Sequence, residues 1–407
     1  MSELSYLEKL LDGVEVEWLP LGEITKYEQP TKYLVKAKDY HDTYTIPVLT
    51  AGKTFILGYT NETHGIYQAS KAPVIIFDDF TTANKWVDFD FKAKSSAMKM
   101  VTSCDDNKTL LKYVYYWLNT LPSEFAEGDH KRQWISNYSQ KKIPIPCPDN
   151  PEKSLAIQSE IVRILDKFSA LTAALTAELS MRKKQYNYYR DQLLSFKDGE
   201  VEWKTLGDVT KKWYSGGTPT AGKIEYYENG NIPWLRTQEV KFSEIDSTEI
   251  KITQAALKNS SAKWIPRNCV IIAISGATAG RSAINKIPLT TNQHCGCLEI
   301  DDTKALYRYV FHWVSFNYEN IKSLGQGARG DLNSTIIKNF KLPIPYASDP
   351  QKSLKEQARI VEILDKFDTL TNSITEGLPR EIELRQKQYE YYRDLLFSFP
   401  KPETVSN

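Results

Sequence analysis

The residue types that perform most enzyme chemistry occur in this chain only in incomplete groups. Gly52-Lys53-Thr54 resembles the end of a phosphate-binding loop, but Pro47 stands where that motif needs its first glycine. His294-Cys295 and Cys297 carry metal-binding side chains, yet no second ligand pair follows at zinc-finger or zinc-ribbon spacing. We therefore interpret them as part of an ordinary strand or loop. Asp78-Asp79 has no third carboxylate or lysine placed beside it, and we interpret it as a turn or surface feature.

Complete catalytic motifs are missing as well. The sequence contains no Gly-x-Ser-x-Gly, no His-Glu-x-x-His and no Asn-Pro-Pro-aromatic tetrapeptide of the kind that adenine methyltransferases carry. We therefore expect a non-catalytic chain with no metal ion and no cofactor of its own. A single-chain enzyme with a dispersed active site, such as a nuclease with scattered carboxylates, remains as an alternative.

Two polar loops place basic residues in settings that suit contact with nucleic acid. One loop covers residues 127–133 and the other covers 325–331. Glycines let a backbone approach a phosphate closely, and Lys or Arg supplies positive charge or a bidentate donor to guanine. A solvated loop with an incidental arginine would have the same composition, and both interpretations stay open. With basic residues from elsewhere in the chain, the DNA-contact candidates are Lys53, Lys99, Lys131, Arg132, Arg236, Arg281 and Arg329.

The overall composition predicts a cytoplasmic globular protein. Of 407 residues, 41% are hydrophobic and 25% are charged, which is ordinary for soluble domains. The formal net charge of +1 does not decide DNA binding, because a basic face can be offset elsewhere. We find no secretory signal and no apolar run near the roughly 18 residues of a membrane helix. Five irregularly spaced cysteines fit a reducing compartment.

The chain is a tandem duplication. Residues 27–140 and 212–337 share little, but the segments around them recur in the same order. The repeated unit is therefore a variable domain followed by a shared segment, and residues 4–13 resemble the tail of a further shared segment, as if the repeat were cyclic. The recurring blocks are Val16-Glu17-Trp18 and Val201-Glu202-Trp203, Ile143-Pro144-Ile145-Pro146 and Leu342-Pro343-Ile344-Pro345, Ile164-Leu165-Asp166-Lys167-Phe168 and Ile363-Leu364-Asp365-Lys366-Phe367, and Tyr188-Tyr189-Arg190-Asp191 and Tyr391-Tyr392-Arg393-Asp394.

The shared segment has the periodicity of a long helix. Apolar or aromatic residues recur at steps of three and four from Ile157 through positions 161, 164, 168, 171, 175 and 179, and then from 186 through 189 and 193 to Phe196. This spacing is typical of a coiled-coil seam. The first helix is predicted to begin after Pro151 and to end near residues 198–199. Two such helices in one chain are expected to pack antiparallel and to place one variable domain at each end.

The second copy of the helix differs from the first by one turn. It begins near Pro350 and contains four extra residues, which fall near Gly377-Leu378-Pro379. A flexible residue next to a helix breaker predicts a kink or a restart, with Pro379 in the first turn of a new helix. A coiled coil that serves only as a scaffold or dimeriser is the alternative to a functional spacer.

The variable regions predict mixed α/β domains. Strands are expected within residues 44–59 and 72–102 of the first region and over 270–274 of the second, with helices over 110–120 and 306–317. The predicted fold class is α+β, in which two mixed α/β recognition domains are separated by two long antiparallel helices in a tandem repeat of pseudo-two-fold symmetry. The predicted divisions are a first domain over 1–145, a first helix over 146–198, a second domain over 199–345 and a second helix over 346–407.

The tyrosine-rich helix tails are candidate docking surfaces. Successive tyrosines cannot all face one seam, so some must point elsewhere. They either bind a partner protein or form a broad core between the two helices, and both interpretations stay open. The partner-binding candidates are Tyr186, Tyr188, Tyr189, Tyr389, Tyr391 and Tyr392.

Along essentially its whole length the sequence resembles the specificity subunits of type I restriction-modification systems. The resemblance is carried by the Pro-Ile-Pro segments, by the blocks that run from Gln158 to Phe168 and from Gln357 to Phe367, and by the tyrosine-rich tails. The tetrads Thr172-Ala173-Ala174-Leu175 and Thr176-Ala177-Glu178-Leu179 look like the type IC branch. Recognition-domain sequence of this family is also similar to Gly217-Thr218-Pro219, Ile232-Pro233-Trp234 and Thr291-Asn292-Gln293.

The resemblance implies that each variable domain reads one half of a split, asymmetric site in double-stranded DNA. It implies that the helices set the gap between the halves and dock two methyltransferase subunits, with two restriction/translocase subunits joining the complex. S-adenosylmethionine, ATP and magnesium would then be bound by those partners. The family does not supply individual base contacts, because the recognition domains are its variable parts.

We predict that inserting or deleting one tetrad within residues 172–179 changes the unread gap and leaves both half-sites intact. Four helical residues span about 6 Å, against about 3.4 Å per base pair, so the gap should change by about one or two base pairs. Methylome sequencing of a tetrad-deleted variant measures this gap, and an unchanged gap would contradict the prediction.

Overall fold

The structure is a computed structural model that describes residues 6–36, 39–52, 54–122, 132–197, 199–327 and 330–400. The chain forms two compact units: unit 1 consists of Met1–Thr176 with Glu381–Asn407, and unit 2 consists of Ala177–Arg380. Each unit therefore contains one sheet-rich domain together with part of both long helical segments. No helix among the described residues is long and apolar enough to cross a membrane.

The described residues of unit 1 form three sheets with short helices around them. Its strands are β1 Val16–Pro20, β2 Thr25–Glu28, β3 Ile46–Leu49, β4 Ile56–Thr60, β5 Val74–Asp78, β6 Asn84–Val87, β7 Lys92–Ala93, β8 Met98–Ser103 and β9 Lys142–Pro146. Its helices are α1 Tyr6–Leu11, α2 Leu21–Ile24, α3 Leu111–Leu118, α4 Gln133–Ser136 and the first part of α5 Pro151–Leu193. The sheet orders are β1-β9, β2-β8-β5-β6 and β4-β3-β7.

Unit 2 has the corresponding elements with small additions. Its strands are β10 Val201–Thr205, β11 Thr210–Ser215, β12 Ile232–Leu235, β13 Glu244–Ile245, β14 Ile250–Ile252, β15 Val270–Ala273, β16 Ser282–Asn285, β17 Thr290–Thr291, β18 Cys295–Ile300 and β19 Lys341–Pro345. Its helices are α6 Gln254–Lys258, α7 Tyr307–Phe316, α8 Tyr318–Ser323, α9 Ser334–Asn339 and α10 Pro350–Asn372, and α11 Gly377–Leu396 follows. The sheet orders are β10-β19, β11-β18-β15-β16-β13 and β14-β12-β17.

The two domains have the same strand topology although their sequences share little. The order β2-β8-β5-β6 of unit 1 corresponds to β11-β18-β15-β16 of unit 2, to which β13 is added at the edge. In each three-stranded sheet the central strand pairs with one antiparallel and one parallel neighbour. The predicted α+β fold class and internal repeat are confirmed, and the variable regions prove to be repeats in structure as well.

The recurring Val-Glu-Trp and Pro-Ile-Pro blocks pair with each other. Val16 lies opposite Pro146 and Trp18 opposite Pro144 in unit 1, and unit 2 repeats this antiparallel register at β10 and β19. A tyrosine hydroxyl from the helix of each domain then donates to a proline carbonyl of the closing strand, from Tyr113 at 2.7 Å and from Tyr309 at 2.9 Å. The matched blocks therefore bring the two ends of each domain together.

A buried glutamine attaches each long helix to its domain. The Oε1 atom of Gln158 on α5 accepts from the backbone N–H of Leu110 at 2.9 Å, and its Nε2 donates to the carbonyl of Lys108 at 3.0 Å. Gln357 on α10 repeats the arrangement with the N–H of Leu306 at 2.9 Å. Both glutamines are fully buried. Each one satisfies backbone groups just before the domain helix begins, at α3 in unit 1 and α7 in unit 2.

An aspartate about two turns further along each helix makes the second attachment, with different donors in the two units. Asp166 accepts from the Tyr116 hydroxyl at 2.5 Å and from the ammonium group of Lys112 at 2.9 Å. Asp365 takes its hydrogen bonds from His312 at 2.7 Å and Arg308 at 2.6 Å.

The hydrogen bonds to Asp365 determine its charge. Burial raises the pKa of its carboxyl group, but the hydrogen bonds from His312 and Arg308 outweigh burial and hold the pKa below its ordinary value. Asp365 is therefore charged near neutral pH, and the ion pair with Arg308 is present there.

The long helices begin where predicted, but the first ends at Leu193 rather than near residues 198–199, and the predicted seam needs correction. The first helix begins at Pro151, and the second is broken between Asn372 and Gly377, with Pro379 in the first turn of the new helix. Leu165, which the seam omitted, is fully buried, whereas Leu171 on the seam is 42% exposed. The reason is that this part of α5 packs on the broad face of its own domain, in a core that includes residues of α3.

Replacing Gln357 with leucine should destabilise unit 2 by about 1–3 kcal/mol, because it leaves the buried N–H of Leu306 unpaired. Urea denaturation followed by tryptophan fluorescence measures this change. The matched control is Gln351→Leu, at an exposed position on the same helix, which should stay within about 0.5 kcal/mol of the parent chain. Equal stability of the two variants would show that the glutamine does not secure the helix.

Candidate nucleic-acid interface

The strand topology of unit 2 brings several loops to one end of its sheets. Because β15 is antiparallel to both β16 and β18, its last residue lies beside the first residues of those strands. The end of β11 also lies beside the start of β18, and β12 ends beside the end of its parallel neighbour β17. We call this region the loop end of unit 2; it comprises residues 216–219, 236–239, 274–281, 291–294, 325–327 and 330–332.

Side-chain hydrogen bonds join these loops. The Thr218 hydroxyl donates to Oε1 of Gln293 at 2.6 Å, and the Ser275 hydroxyl lies 2.7 Å from Nδ1 of His294. The backbone N–H of Gly276 donates to Asp331 at 3.3 Å. Gln293 and His294 are both exposed. A rigid frame of strands thus presents hydrogen-bonding side chains together, which is the chemistry that reads base edges.

Unit 1 has an equivalent loop end built from different residues. The carbonyl of Asp79 accepts from the N–H of Gln133 at 2.8 Å, and its side chain accepts from the N–H of Trp134 at 2.9 Å. The turn between β7 and β8 covers residues 94–97 and carries Ser95 and Ser96, whereas the shorter turn between β17 and β18 carries Gln293 and His294. The two loop ends therefore share a backbone frame and differ in the groups that they present.

The described basic candidates of unit 2 lie at this end, and they differ in whether carboxylates already pair with them. Arg281 precedes β16 and is half-buried, and no ion pair involves it among the described residues. Arg236 follows β12, where its guanidinium lies 2.5 Å from Glu249 and 3.8 Å from Glu239. These two carboxylates already offset the charge of Arg236, so Arg281 is the better placed of the two for a phosphate or base. Arg329 lies outside the described residues.

The basic candidates of unit 1 are less uniform. Arg132 is exposed and precedes α4 at the loop end, whereas Lys53 and Lys131 lie outside the described residues. Lys99 is a correction: it is only 1% exposed and lies 3.5 Å from the equally buried Asp79. Because Lys99 is buried against Asp79, its ammonium group points into the domain and cannot reach a surface phosphate.

The acidic pair and the possible metal ligands have structural roles. Asp78 forms a turn, as predicted, through bonds to the N–H groups that follow it, but the pair is buried rather than on the surface. Cys295 and Cys297 face the core of unit 2, and burial raises the pKa of Cys295 to about 12. A protonated thiol is a poor metal ligand. Within the described residues no group of three or more His, Cys, Asp or Glu side chains is placed to hold a metal ion.

The tyrosines of the two tails match: some pack on aromatic rings elsewhere in their own unit, and one in each tail is mostly exposed. Tyr189 stacks on Phe367 in unit 2 with ring centroids 5.5 Å apart, and Tyr392 stacks on Phe168 in unit 1 at 5.2 Å. Tyr186 and Tyr389 also pack against aromatic rings of their own units. Tyr188 and Tyr391 are 62% and 64% exposed. These two are the members of the set that are best placed to meet a partner.

The chain contains two domains of one topology, and each has a polar loop end and is attached to long helices. These features define a duplicated recognition protein. The chain belongs to the type I restriction modification DNA specificity family, whose model matches residues 13–181 and 199–384. This confirms the predicted family, whereas the resemblance to the type IC branch stays a prediction.

Known proteins are similar to this chain over nearly its whole length. The chain is 73% identical over 414 residues to the specificity subunit of the Escherichia coli type I restriction enzyme EcoR124I/EcoR124II, with 100% of both chains covered. It is 35% identical over 415 residues to the specificity subunit of the E. coli enzyme EcoprrI, covering 92% of this chain and 93% of the relative. A crystal structure of an S subunit from M. genitalium shares the fold, with a TM-score of 0.63 and 14% identity over 98% of this chain and 99% of that chain.

Proposed function

We propose that this chain selects the DNA sequence on which a type I restriction-modification complex acts, and that it does no chemistry itself. Each loop end reads one half of a bipartite, asymmetric site. The observation that carries the proposal is one backbone topology used twice with different side chains at the equivalent turn, Gln293-His294 in unit 2 and Ser95-Ser96 in unit 1. Two loop ends with the same backbone arrangement and different hydrogen-bonding side chains suit two half-sites of different sequence. Family membership favours this function over a coiled-coil scaffold without a DNA role.

The catalytic steps would belong to partner subunits. We propose two methyltransferase subunits, which bring S-adenosylmethionine, and two restriction/translocase subunits, which bring ATP and magnesium. The relative at 73% identity is named as a specificity subunit of a restriction enzyme, which supports a division of labour between reading and chemistry. The long helices would connect the two reading ends and set the unread gap between them.

Co-expression of the chain with its methyltransferase subunit in a host without background adenine methylation tests this function. We expect methylome sequencing to show N6-methyladenine at one bipartite motif, and we expect none when either subunit is expressed alone. Methylation by this chain without the methyltransferase subunit would contradict the non-catalytic role. Methylation without a bipartite motif would contradict the reading role.

We further predict that Tyr188→Ala combined with Tyr391→Ala weakens binding of the methyltransferase subunit without unfolding the chain. Both side chains are largely exposed, so their removal costs little core packing but deletes aromatic contact area of the kind that dominates protein interfaces. Size-exclusion chromatography of the mixed subunits and circular dichroism of the variant measure the two effects. The control is Tyr346→Ala, which removes an exposed tyrosine outside the tails, and an unaltered complex in the double variant would contradict the prediction.

A further inference from the structure

We propose that Gln293 reads a base edge in the half-site bound by unit 2 and that Thr218 positions its amide for this. This inference rests on the proposed function and assigns a particular residue and hydrogen-bonding polarity to one of the two reading ends. The observations that carry it are the rigidity of the turn, the orientation of the amide and the difference between the two units at this point.

The turn that carries Gln293 is fixed on both sides. The preceding residues Thr291 and Asn292 are buried, and Oδ1 of Asn292 accepts from the N–H of His294 at 3.0 Å. The carbonyl of Thr291 accepts from the N–H of Gly217 at 2.9 Å, which ties the turn to the loop that contains Thr218. An exposed side chain on such a turn meets a ligand with little loss of backbone entropy.

The hydrogen bond from Thr218 determines which half of the amide is available. Its hydroxyl donates to Oε1 of Gln293 at 2.6 Å, and among the described residues no acceptor takes the two N–H groups of that amide. Gln293 therefore presents donors. In the major groove the matching acceptors are O6 and N7 of guanine, N7 of adenine and O4 of thymine, whereas the amino group of cytosine is a mismatch.

Neighbouring groups at the loop end support the same role. Nδ1 of His294 lies 2.7 Å from the Ser275 hydroxyl, which fixes the imidazole beside Gln293, and no residue that the structure describes is bonded to its Nε2. Arg281, half-buried at the start of β16, supplies positive charge at the same end for the phosphate backbone. Unit 1 has serines at the equivalent turn, so the proposal concerns only the half-site that unit 2 reads.

Gln293→Glu in the complex with the methyltransferase subunit tests the proposal, because this substitution keeps the shape and replaces the donors with an acceptor. We expect methylome sequencing to show a changed or degenerate base at one position of one half-site, with the other half-site and the gap unchanged. Affinity for the parent site, measured on duplexes at fixed salt, should fall roughly ten- to a hundredfold. The matched control is Gln254→Glu, an exposed residue at the opposite end of the same sheets, which should leave the motif intact.

Two further variants separate reading from folding and test the positioning role. Gln293→Ala should still support methylation, with the same position of the motif degenerate. If Gln293→Glu alone abolishes all methylation, repulsion between the new carboxylate and the base accounts for the loss. Thr218→Val should make the same position of the motif more degenerate. Thr218→Ser should restore the base preference there, because serine keeps the hydroxyl.

The proposal is overturned if both Gln293 variants keep the parent motif and affinity, or if the altered position falls in the half-site that unit 1 reads. Domain exchange with the relative at 35% identity assigns the half-sites to the units beforehand. Absence of any bipartite motif in the parent complex would contradict the proposed function itself, whereas a normal parent motif with unaffected variants contradicts only the assignment to Gln293.

Discussion

The fold depends on one buried hydrogen-bonding arrangement that occurs twice. The side chains of Gln158 and Gln357 each extend from a long helix to the neighbouring domain. In both, the amide oxygen accepts from a backbone N–H and the amide nitrogen donates to a backbone carbonyl. An amide buried without partners would cost several kcal/mol, so each helix has one register on its domain in which the glutamine is fully paired. This constraint fixes where the domain helix begins, and through it the position of the sheet that carries the loop end.

The contact between the aspartate of each long helix and its domain shows how much sequence change this arrangement tolerates. The aspartate is the same in both helices, but its donors are a tyrosine and a lysine in unit 1 and a histidine and an arginine in unit 2. In unit 1, burial and the hydrogen bond to Asp166 both raise the pKa of the Tyr116 hydroxyl, so it remains a donor near neutral pH. The domain side of the contact has diverged while the charge and hydrogen bonding at the helix are preserved.

At the loop ends, too, the backbone arrangement is separate from the side chains that it presents. Strand pairing determines that the turns after β11, β12 and β15 lie together, whatever side chains they carry. Substitutions in those turns alter the hydrogen-bonding groups that face outward without changing the core, because the cores lie on the strands behind them. A protein built in this way can change its ligand preference in one unit while the other unit is unaffected.

The sequence alone determined the duplication, the long helices with their break before Pro379, and the family. These properties depend on local signals: recurring blocks, helical periodicity and a glycine-proline pair, all of which act over a few residues. The sequence did not predict that the variable domains share one topology, because strand order depends on long-range pairing that diverged side chains do not record. It also misassigned Lys99, since a lysine on a β-strand has the same local pattern whether it faces solvent or a buried aspartate. Only the tertiary structure showed that Gln158 and Gln357 are the fixed points of the fold and that Gln293 stands on a rigid turn, where no acceptor among the described residues takes its N–H groups.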